Sequence, residues 1–420
     1  MHRPPLKRTT ALLLAVLGAV LLATSAGASS PGWNRISGPS QPGIQLGLAR
    51  TSDGVLHVIW NRGATNTTVY ETRISASGKT AGTSTVASGW NGNGGVALLT
   101  MPDGTLRLFA AGTDGIHTFT APASGKNWTA QQVPPWGGAV AEASAVVGAT
   151  LTKTGQPVTA WRGNAAEGVP PASIPQNGFE GGMGESFLAT DAGTGAVVLS
   201  GETNAGQGGA YVQQILPSPG PRTLVPPLAK DWSVSTSGRL GASGVFFANA
   251  DGRSVRLSRY RGGTRTLATG PYFSAALCAG PQGRLWVAWG SPDGLFVTRT
   301  SRAAGSLEPV RKLKPPSGPG LTFVQCEGSA GAAELFADDG GFWHAHVLAQ
   351  PSVRATVSRG KATIAVRDAG DPVAGAVVSV GGHHLKTAAN GNVTVALRTG
   401  SYSAAVSAPG YATATARFHV

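Results

Sequence analysis

The strongest constraint on the fold of this chain is a glycine turn that recurs about every 40 to 50 residues. Each repeat has a small-residue run, a turn ending in glycine and a second apolar run, as in "GLARTSDGVLHVIW" (47–60) and "AGPQGRLWVAWGSPDGLFVT" (279–298). The turn glycines that anchor the repeats are Gly54, Gly104, Gly155, Gly195, Gly244, Gly283 and Gly331. The intervals between successive anchors are all of similar length, so the repeat extends over most of the chain.

A period of this length, with about four strands in each unit, is typical of a β-propeller. The first strand of each unit is rich in Gly, Ala and Ser, which suits the crowded propeller axis, and the following strands are bulkier. We therefore predict an all-β chain with a β-propeller over residues 29–350. Seven blades are favoured and six are the alternative, because the repeats at Gly195 and Gly244 are weak. An elongated array of β-sandwiches is the other architecture that the pattern allows.

The N-terminal segment predicts export. Arg3, Lys7 and Arg8 precede an apolar run over residues 11–23, and the small residues Ala26-Gly27-Ala28 follow. This pattern is typical of a secretory signal peptide, residues 1–28, cleaved after Ala28. The apolar run is too short to span a bilayer, and no later run approaches the necessary length. We expect a secreted, extracellular protein with no membrane span.

The charge of the chain narrows the choice of partners. The formal charge is +13, of which three cations belong to the signal peptide, leaving +10. Residues 351–420 carry +5 and the rest of the mature chain carries +5. Because the charge is spread and no nucleic-acid-binding motif occurs, we expect weak affinity for anionic surfaces and no nucleic-acid partner.

Residues 351–420 follow a different pattern. The alternating runs "TIAVRD", "AVVSV", "VTVAL" and "YSAAVSA" are separated by Gly, Asn-Gly and Pro-Gly turns. They predict a small β-sandwich over this part of the chain. The phrases "GDPVAGAVVSVGG", "TAANGNVTVAL" and "GSYSAAVSAPGY" resemble the carboxypeptidase regulatory-like, prealbumin-type domain. That resemblance implies an accessory module without catalytic activity.

The repeats of residues 33–350 resemble the sialidase-like (BNR-type) secreted β-propellers. The Asp-box of sialidases, Ser-x-Asp-x-Gly-x-x-Trp, is not met, because "TSDGVLHVIW" places glycine directly after Asp53 and delays the tryptophan. A sialidase also needs three arginines around a carboxylate, an acid/base and a Tyr-Glu pair. Arg62, Arg162 and Arg299 lie near predicted blade edges, but no tyrosine has an evident glutamate partner.

Other catalytic and metal-binding patterns are few. No HExxH motif occurs, and "GESFL" lacks the last glycine of GxSxG. His344 and His346 would share one face of a strand, which a solvent-facing outer strand explains without a metal. We expect no metal and no cofactor. Carboxylate pairs for glycoside hydrolysis could come from Glu142, Glu167, Glu180 and Glu185, so enzymatic activity stays an open alternative, less favoured than binding.

The two cysteines occupy equivalent positions in consecutive repeats. Cys278 and Cys326 each lie five positions before their turn glycines, Gly283 and Gly331. Equivalent places on neighbouring inner strands, in an oxidising compartment, favour a disulfide. Two buried thiols are the alternative.

Aromatic and polar residues gather at one predicted face. If the inner strands end at the glycine turns, residues six positions after each anchor lie near the opposite, or top, face. The predicted ligand-binding residues there are Trp60, Arg62, Trp90, Asn91, Trp136, Trp161, Arg162 and Glu180. Aromatic rings stack on sugars, and Asn and Arg bond hydroxyls or carboxylates. The alternative is that the tryptophans are wedges between blades.

These observations favour a secreted, non-catalytic binding or adhesion protein. Its top face would bind an extracellular glycan or a cell-surface protein. One alternative is a sialidase-like glycoside hydrolase, and another is a structural cell-envelope protein without a small ligand.

Overall fold

The computed structural model describes most of the chain from residue 32 onward. The described residues are 32–38, 45–61, 68–89, 92–112, 115–131, 146–161, 165–167, 188–202, 210–224, 233–272, 274–316, 323–329 and 331–420. Within them, regular structure consists of β-strands and one 3₁₀ turn, Pro281–Gly283. The all-β prediction is confirmed. No helix in this part of the chain is long and apolar enough to cross a membrane.

Six antiparallel sheets are each built from strands that are consecutive in the chain. The first three are β2–β5 (Gly47–Arg50, Leu56–Trp60, Val69–Ile74, Thr80–Ala87), β6–β9 (Gly92–Thr100, Leu106–Gly112, Gly115–Ala121, Thr129–Gln131) and β10–β12 (Val146–Leu151, Pro157–Trp161, Ala165–Glu167). The next three are β13–β16 (Leu188–Thr190, Val197–Glu202, Ala210–Leu216, Thr223–Leu224), β17–β20 (Ser233–Arg239, Ala242–Ala250, Ser254–Arg259, Thr264–Thr269) and β21–β24 (Ser274–Ala279, Leu285–Ser291, Gly294–Arg299, Arg311–Leu313). Each sheet is called a blade below.

A further sheet joins the two ends of this region. It contains β25–β27 (Phe323–Gly328, Ala332–Asp338, Phe342–Leu348), and its outermost strand is β1 (Asn34–Arg35) from the N-terminal end. Asn34 pairs with His344 and Arg35 with Trp343. The last blade is therefore completed by residues that precede the first.

The innermost strands of successive blades lie side by side in a ring. Contacts run from β2 to β6, β10, β13, β17, β21 and β25 in turn. The Leu46 backbone N–H donates to Gln325 Oε1 at 2.9 Å. This hydrogen bond joins β25 to the first blade and closes the ring. The β-propeller prediction is confirmed. The number of blades stays a prediction, because the described ranges leave gaps between several sheets.

Small residues on the inner strands allow this close approach. A Cβ on Gly47 would lie 3.1 Å from the Cβ of Leu98 on the next inner strand. Side chains on Gly238 and Gly328 would run into the backbone carbonyls of Thr190 and Ala279. The small-residue composition therefore reflects strand crowding at the axis.

Residues 352–420 form two sheets around a core of their own. One contains β28 (Ser352–Ser358), β29 (Lys361–Asp368), β30 (Asp371–Pro372) and β33 (Asn392–Ala396). The other contains β31 (Val377–Val380), β32 (His383–Lys386), β34 (Ser401–Ser407) and β35 (Ala414–His419). Ile364, Val366, Val378 and Val406 are among the buried residues between them. This is a small β-sandwich, called the C-terminal sandwich below; its prealbumin-type identity and its boundary at residue 350 stay predictions.

Buried charges join the C-terminal sandwich to the β21–β24 blade. Asp368 is fully buried, and its Oδ2 lies 3.3 Å from Arg284 Nη2 and 3.4 Å from Arg299 Nη1. The Tyr411 hydroxyl donates to the same oxygen at 2.7 Å. Arg284 Nη2 also lies 2.7 Å from Asp371 Oδ2. The sandwich is thus held by charge-assisted contacts as well as by packing.

Candidate functional site

Trp60, the first residue of the predicted ligand set, lies inside the molecule. Only 3% of its surface is exposed. Its ring stacks on Tyr70 with centroids 4.5 Å apart and meets Phe342 of the last blade edge-on at 6.3 Å. Its indole N–H donates to Thr72 Oγ1 at 2.9 Å. Trp60 is a wedge between blades, so its ring face is not available to a ligand.

The other members of the predicted set fall largely outside the described residues. Trp161 ends β11, where it pairs with Val146 and Ala165, and its backbone alone is described. The remaining six, which lie outside the described ranges, are Arg62, Trp90, Asn91, Trp136, Arg162 and Glu180. Their common location at one rim stays a prediction.

The described residues enclose a cavity on the propeller axis. Its volume is about 660 Å³, and residues from the inner strands β2, β6, β10, β13, β17, β21 and β25 line it. The lining continues past the ends of these strands into the turns that hold Lys153, Arg239 and Leu240. A cavity of this size is in the range of small-ligand sites. It lies toward the glycine-turn end of the axis, whereas the predicted rim lies at the opposite end.

An ion-pair network lies between the first and last blades and reaches the cavity wall at Glu327. Arg50 on β2 donates hydrogen bonds from Nε and Nη2 to the carboxylate of Glu327 on β25. The shortest of them, from Nη2 to Oε2, is 2.6 Å long. Arg50 Nη2 also lies 3.4 Å from Glu334 Oε1 on β26. Glu327, the acidic residue among the cavity-lining residues, is therefore already bound by a cation.

Two histidines complete this network. His344 Nε2 lies 2.7 Å from Glu334 Oε2, and His346 Nδ1 lies 3.0 Å from Glu334 Oε1. Burial alone would raise the pKa of Glu334, but the hydrogen bonds and charges of the two histidines outweigh it and lower the pKa to about 2. His344 is fully buried, so the interpretation of this pair as solvent-facing was wrong for His344. Within the described residues, no group of three His, Cys, Asp or Glu is arranged to hold a metal ion.

The predicted disulfide is confirmed, and it also lies in the cavity wall. Cys278 on β21 and Cys326 on β25 are bonded, with their Cα atoms 5.7 Å apart. The bond ties two neighbouring inner strands together. The two cysteines occupy equivalent positions on neighbouring inner strands, and this brings them within bonding distance, as the sequence indicated.

Sequence reasoning missed the Arg50–Glu327 pair, although the signal was the same. Arg50 lies four residues before Gly54, and Glu327 lies four residues before Gly331. They are thus equivalent positions on the first and last inner strands, which the closed ring makes neighbours. In a closed propeller the first and last repeats are neighbours, so comparing equivalent positions of these two repeats would have predicted the pair.

Comparisons with solved structures report the same fold. The BP39L lectin from Burkholderia pseudomallei matches with a TM-score of 0.52 and 15% identity, over 75% of this chain and 99% of the lectin. Virginiamycin B lyase from Staphylococcus aureus matches with a TM-score of 0.50 and 12% identity, over 76% of this chain and 99% of the lyase. A streptogramin B lyase structure matches with a TM-score of 0.50 and 10% identity, over 76% and 98%. At these identities the similarity shows the β-propeller fold alone.

Searches with the sequence add no family. No protein-family model matches the chain, and no curated protein matches it. The resemblances to sialidase-like propellers and to prealbumin-type domains stay predictions beyond the fold itself.

Proposed function

We propose that this chain is a secreted, non-catalytic binding protein whose propeller recognises an extracellular glycan or a cell-surface protein. The observation that supports this most is the axial cavity of about 660 Å³, lined by the inner strands of the ring. A concave site on a rigid ring gives a ligand many contacts without ordering flexible loops first. The predicted tryptophans and amides of the top face would extend the contact area at one end of the axis.

The polar chemistry of the cavity wall favours binding over hydrolysis. Hydrolysis of a glycosidic bond uses two carboxyl groups, one of which must donate a proton. Glu327, whose pKa is raised by burial, is the one acidic residue among the described residues that line the cavity, so this wall offers no second carboxyl group for such a pair. A lectin and two lyases share the fold, so the fold itself is compatible with binding and with catalysis. A sialidase-like hydrolase remains the alternative activity, and a structural envelope protein is the third.

A glycan-array screen of residues 29–420 tests the proposal. We expect a discrete set of bound glycans and no release of sugar from them on prolonged incubation. Replacing Trp90 or Trp136 by alanine should weaken binding by about 30-fold, the usual cost of losing an aromatic anchor. Leu240→Ser tests the glycine-turn end of the axial cavity, which Leu240 lines. Val357→Ser on the C-terminal sandwich is the matched control, because Val357 is 37% exposed and does not line the cavity.

The four outcomes are distinct. Loss of binding in the tryptophan variants alone supports a ligand site on the top face. Loss of binding in Leu240→Ser alone would place the ligand site at the glycine-turn end of the axis. Release of sugar would replace the proposal by the hydrolase. Absence of binding both to the array and to intact cells would leave the structural role.

A further inference from the structure

The positive charge of the propeller is concentrated on one part of it. Residues 210–272 contain eight Lys or Arg and two Asp, a formal charge of +6. The rest of residues 29–350 contains fifteen Lys or Arg and sixteen Asp or Glu, a formal charge of −1. Within the propeller, the net charge of +5 is therefore distributed unevenly. All of its excess charge lies around the β17–β20 blade and the adjoining strands β15 and β16.

Most of these cations face solvent without an acidic partner. The exposed ones are Arg222, Arg253, Arg259, Arg261 and Arg265. Within the described residues, none of these five is in an ion pair, and Asp251 is already bound by Arg256 at 2.6 Å. Burial and the neighbouring Arg259 cation lower the pKa of Arg239, and the Asp191 charge acts in the opposite direction.

The arginines lie on or beside the two outer strands of the blade, β19 and β20, although the Arg259 guanidinium turns back toward Gly244 of β18. Arg253 precedes β19, Arg259 ends it, Arg261 lies in the following turn, and Arg265 on β20 pairs with Leu257 of β19. Arg259 lies six positions after Arg253, a length of about 20 Å along an extended strand. We call the edge that carries these four residues the arginine edge.

Tyrosine rings hold two guanidinium groups beside this edge. The Arg261 guanidinium lies over the ring of Tyr260 at 5.1 Å, and that of Arg222 lies over Tyr211 at 4.4 Å. Arg261 also reaches toward Gly220, two residues from Arg222. A cation–π contact of this kind limits the positions of a guanidinium and still allows its N–H groups to bond an anion.

We propose that the arginine edge is a docking surface for an extended anionic polysaccharide carrying carboxylate or sulfate groups. A row of cations along about 20 Å of strand matches a polymer with repeated charges better than a single small anion. A bilayer is a poorer match, because no large apolar side chain of the described arginine edge is strongly exposed. The predicted export of the chain favours a polysaccharide over nucleic acid. This surface lies on the blade edge and does not depend on the axial site.

The experiment compares two variants with the same change in net charge. The test variant is Arg253→Gln, Arg259→Gln, Arg261→Gln and Arg265→Gln. The matched control is Arg354→Gln, Arg359→Gln, Lys361→Gln and Lys386→Gln, four exposed cations of the C-terminal sandwich. Probes are polygalacturonate, heparin, neutral dextran, duplex DNA and vesicles containing anionic lipid, each over a range of salt concentrations.

We expect the wild-type protein to bind polygalacturonate or heparin with an affinity that falls as salt rises, and not to bind dextran. The test variant should bind at least about tenfold more weakly with a smaller salt slope, since fewer counterions are released. The control should change by less than about threefold, and thermal melts should show that both are folded.

Three results would overturn the proposal. Equal losses in the two variants would mean that total charge alone drives binding, and a loss in the control only would place the surface on the C-terminal sandwich. Binding to DNA or vesicles without binding to either polysaccharide would identify a different partner. Trp90→Ala and Trp136→Ala should keep polyanion binding, which separates this surface from the axial ligand site.

Discussion

At the scale of single residues, the contact between the first and last blades depends on a few buried side chains. Trp60 fills the space between Tyr70 and Phe342, and its indole N–H is satisfied by Thr72. Arg50 and Glu334 join the same two blades through charge. These residues contribute to closing the ring, and they are not placed to contact a ligand from solvent.

Trp60→Ala should therefore destabilise the protein. Removing a buried tryptophan leaves a cavity and costs about 3–5 kcal/mol, and here it also removes the indole hydrogen bond to the Thr72 hydroxyl. Denaturant titration of the variant and the wild type measures the difference in unfolding free energy. A change below about 0.5 kcal/mol, typical of exposed positions, would contradict the observed burial.

Glu334 should make stability depend on acid pH. Its pKa is about 2 in the folded protein, below the ordinary value of 4.5. Its contribution to stability is thus complete above pH 4.5 and is lost as the pH falls toward 2. Unfolding free energy measured between pH 2 and pH 6 should fall more steeply on acidification for the wild type than for Glu334→Gln. Parallel curves would show that the carboxylate is not held as described.

At the scale of elements, turn glycines were the most reliable sequence signal. Gly54, Gly104, Gly155 and Gly195 all have φ between +79° and +84°, a conformation that glycine adopts without strain. The repeat at Gly244 was misplaced, because that residue lies inside β18 and the turn glycine is Gly241, with φ of +67°. Gly331 has no positive φ; a Cβ there would collide with Gly410 of the C-terminal sandwich. A glycine can be required by close packing as well as by a turn, and the sequence around it does not distinguish the two cases.

The disulfide between β21 and β25 should stabilise the ring measurably. It closes a loop of 48 residues, for which the chain-entropy model gives about 3–4 kcal/mol. Cys278→Ser with Cys326→Ser should lower the unfolding free energy by up to that amount. Intact-mass analysis after alkylation of the unfolded, unreduced wild type should find no labelled thiol, and two labels would contradict the bond.

The fold was more predictable from the sequence than the ligand site, for a physical reason. The prediction of a propeller rests on a strand pattern that many residues share, so one misplaced anchor such as Gly244 does not change the predicted architecture. Whether one tryptophan is a wedge or a ligand contact depends on the single neighbour that it meets. For Trp60 that neighbour is Phe342, which lies in the last blade and far away in the sequence. Cys278 and Cys326 could be paired because both the repeat register and the chemistry of the bond limited the choice.

At the scale of the whole molecule, the junction with the C-terminal sandwich contains a buried acidic pair. Glu308 is 4% exposed, and Asp368 is fully buried beside it. Burial and the neighbouring Asp368 charge raise the pKa of Glu308 to about 8, despite the nearby Arg311 and Arg299 cations. At neutral pH the Glu308 carboxyl group therefore keeps its proton at this junction.

The junction should weaken as the pH rises. The ordinary pKa of Glu308 is 4.5 and the folded value is about 8, so its favourable contribution is complete below pH 4.5 and is lost as the pH rises to 8. Glu308→Gln imitates the protonated side chain and should remove this part of the dependence. Amide hydrogen exchange around residues 368–371, followed from pH 5 to pH 8.5 and corrected for intrinsic rates, measures it. Identical profiles for the two proteins would refute the assignment.

The pairing of β1 with β27 also sets an order of events for a newly made chain. Arg35 donates a hydrogen bond to the Gly340 carbonyl, 305 residues further along. At about 5–20 residues per second, ribosomes need roughly 15–60 s to make that stretch. During this time the first strand has no partner. Once made, the outer edge of β27 offers unpaired backbone groups to any strand, including one from another copy of the chain. In ring closure, β1 of the same chain therefore competes with strands of other copies for the edge of β27. A high local concentration of nascent chains should favour dimers in which the chains exchange this strand.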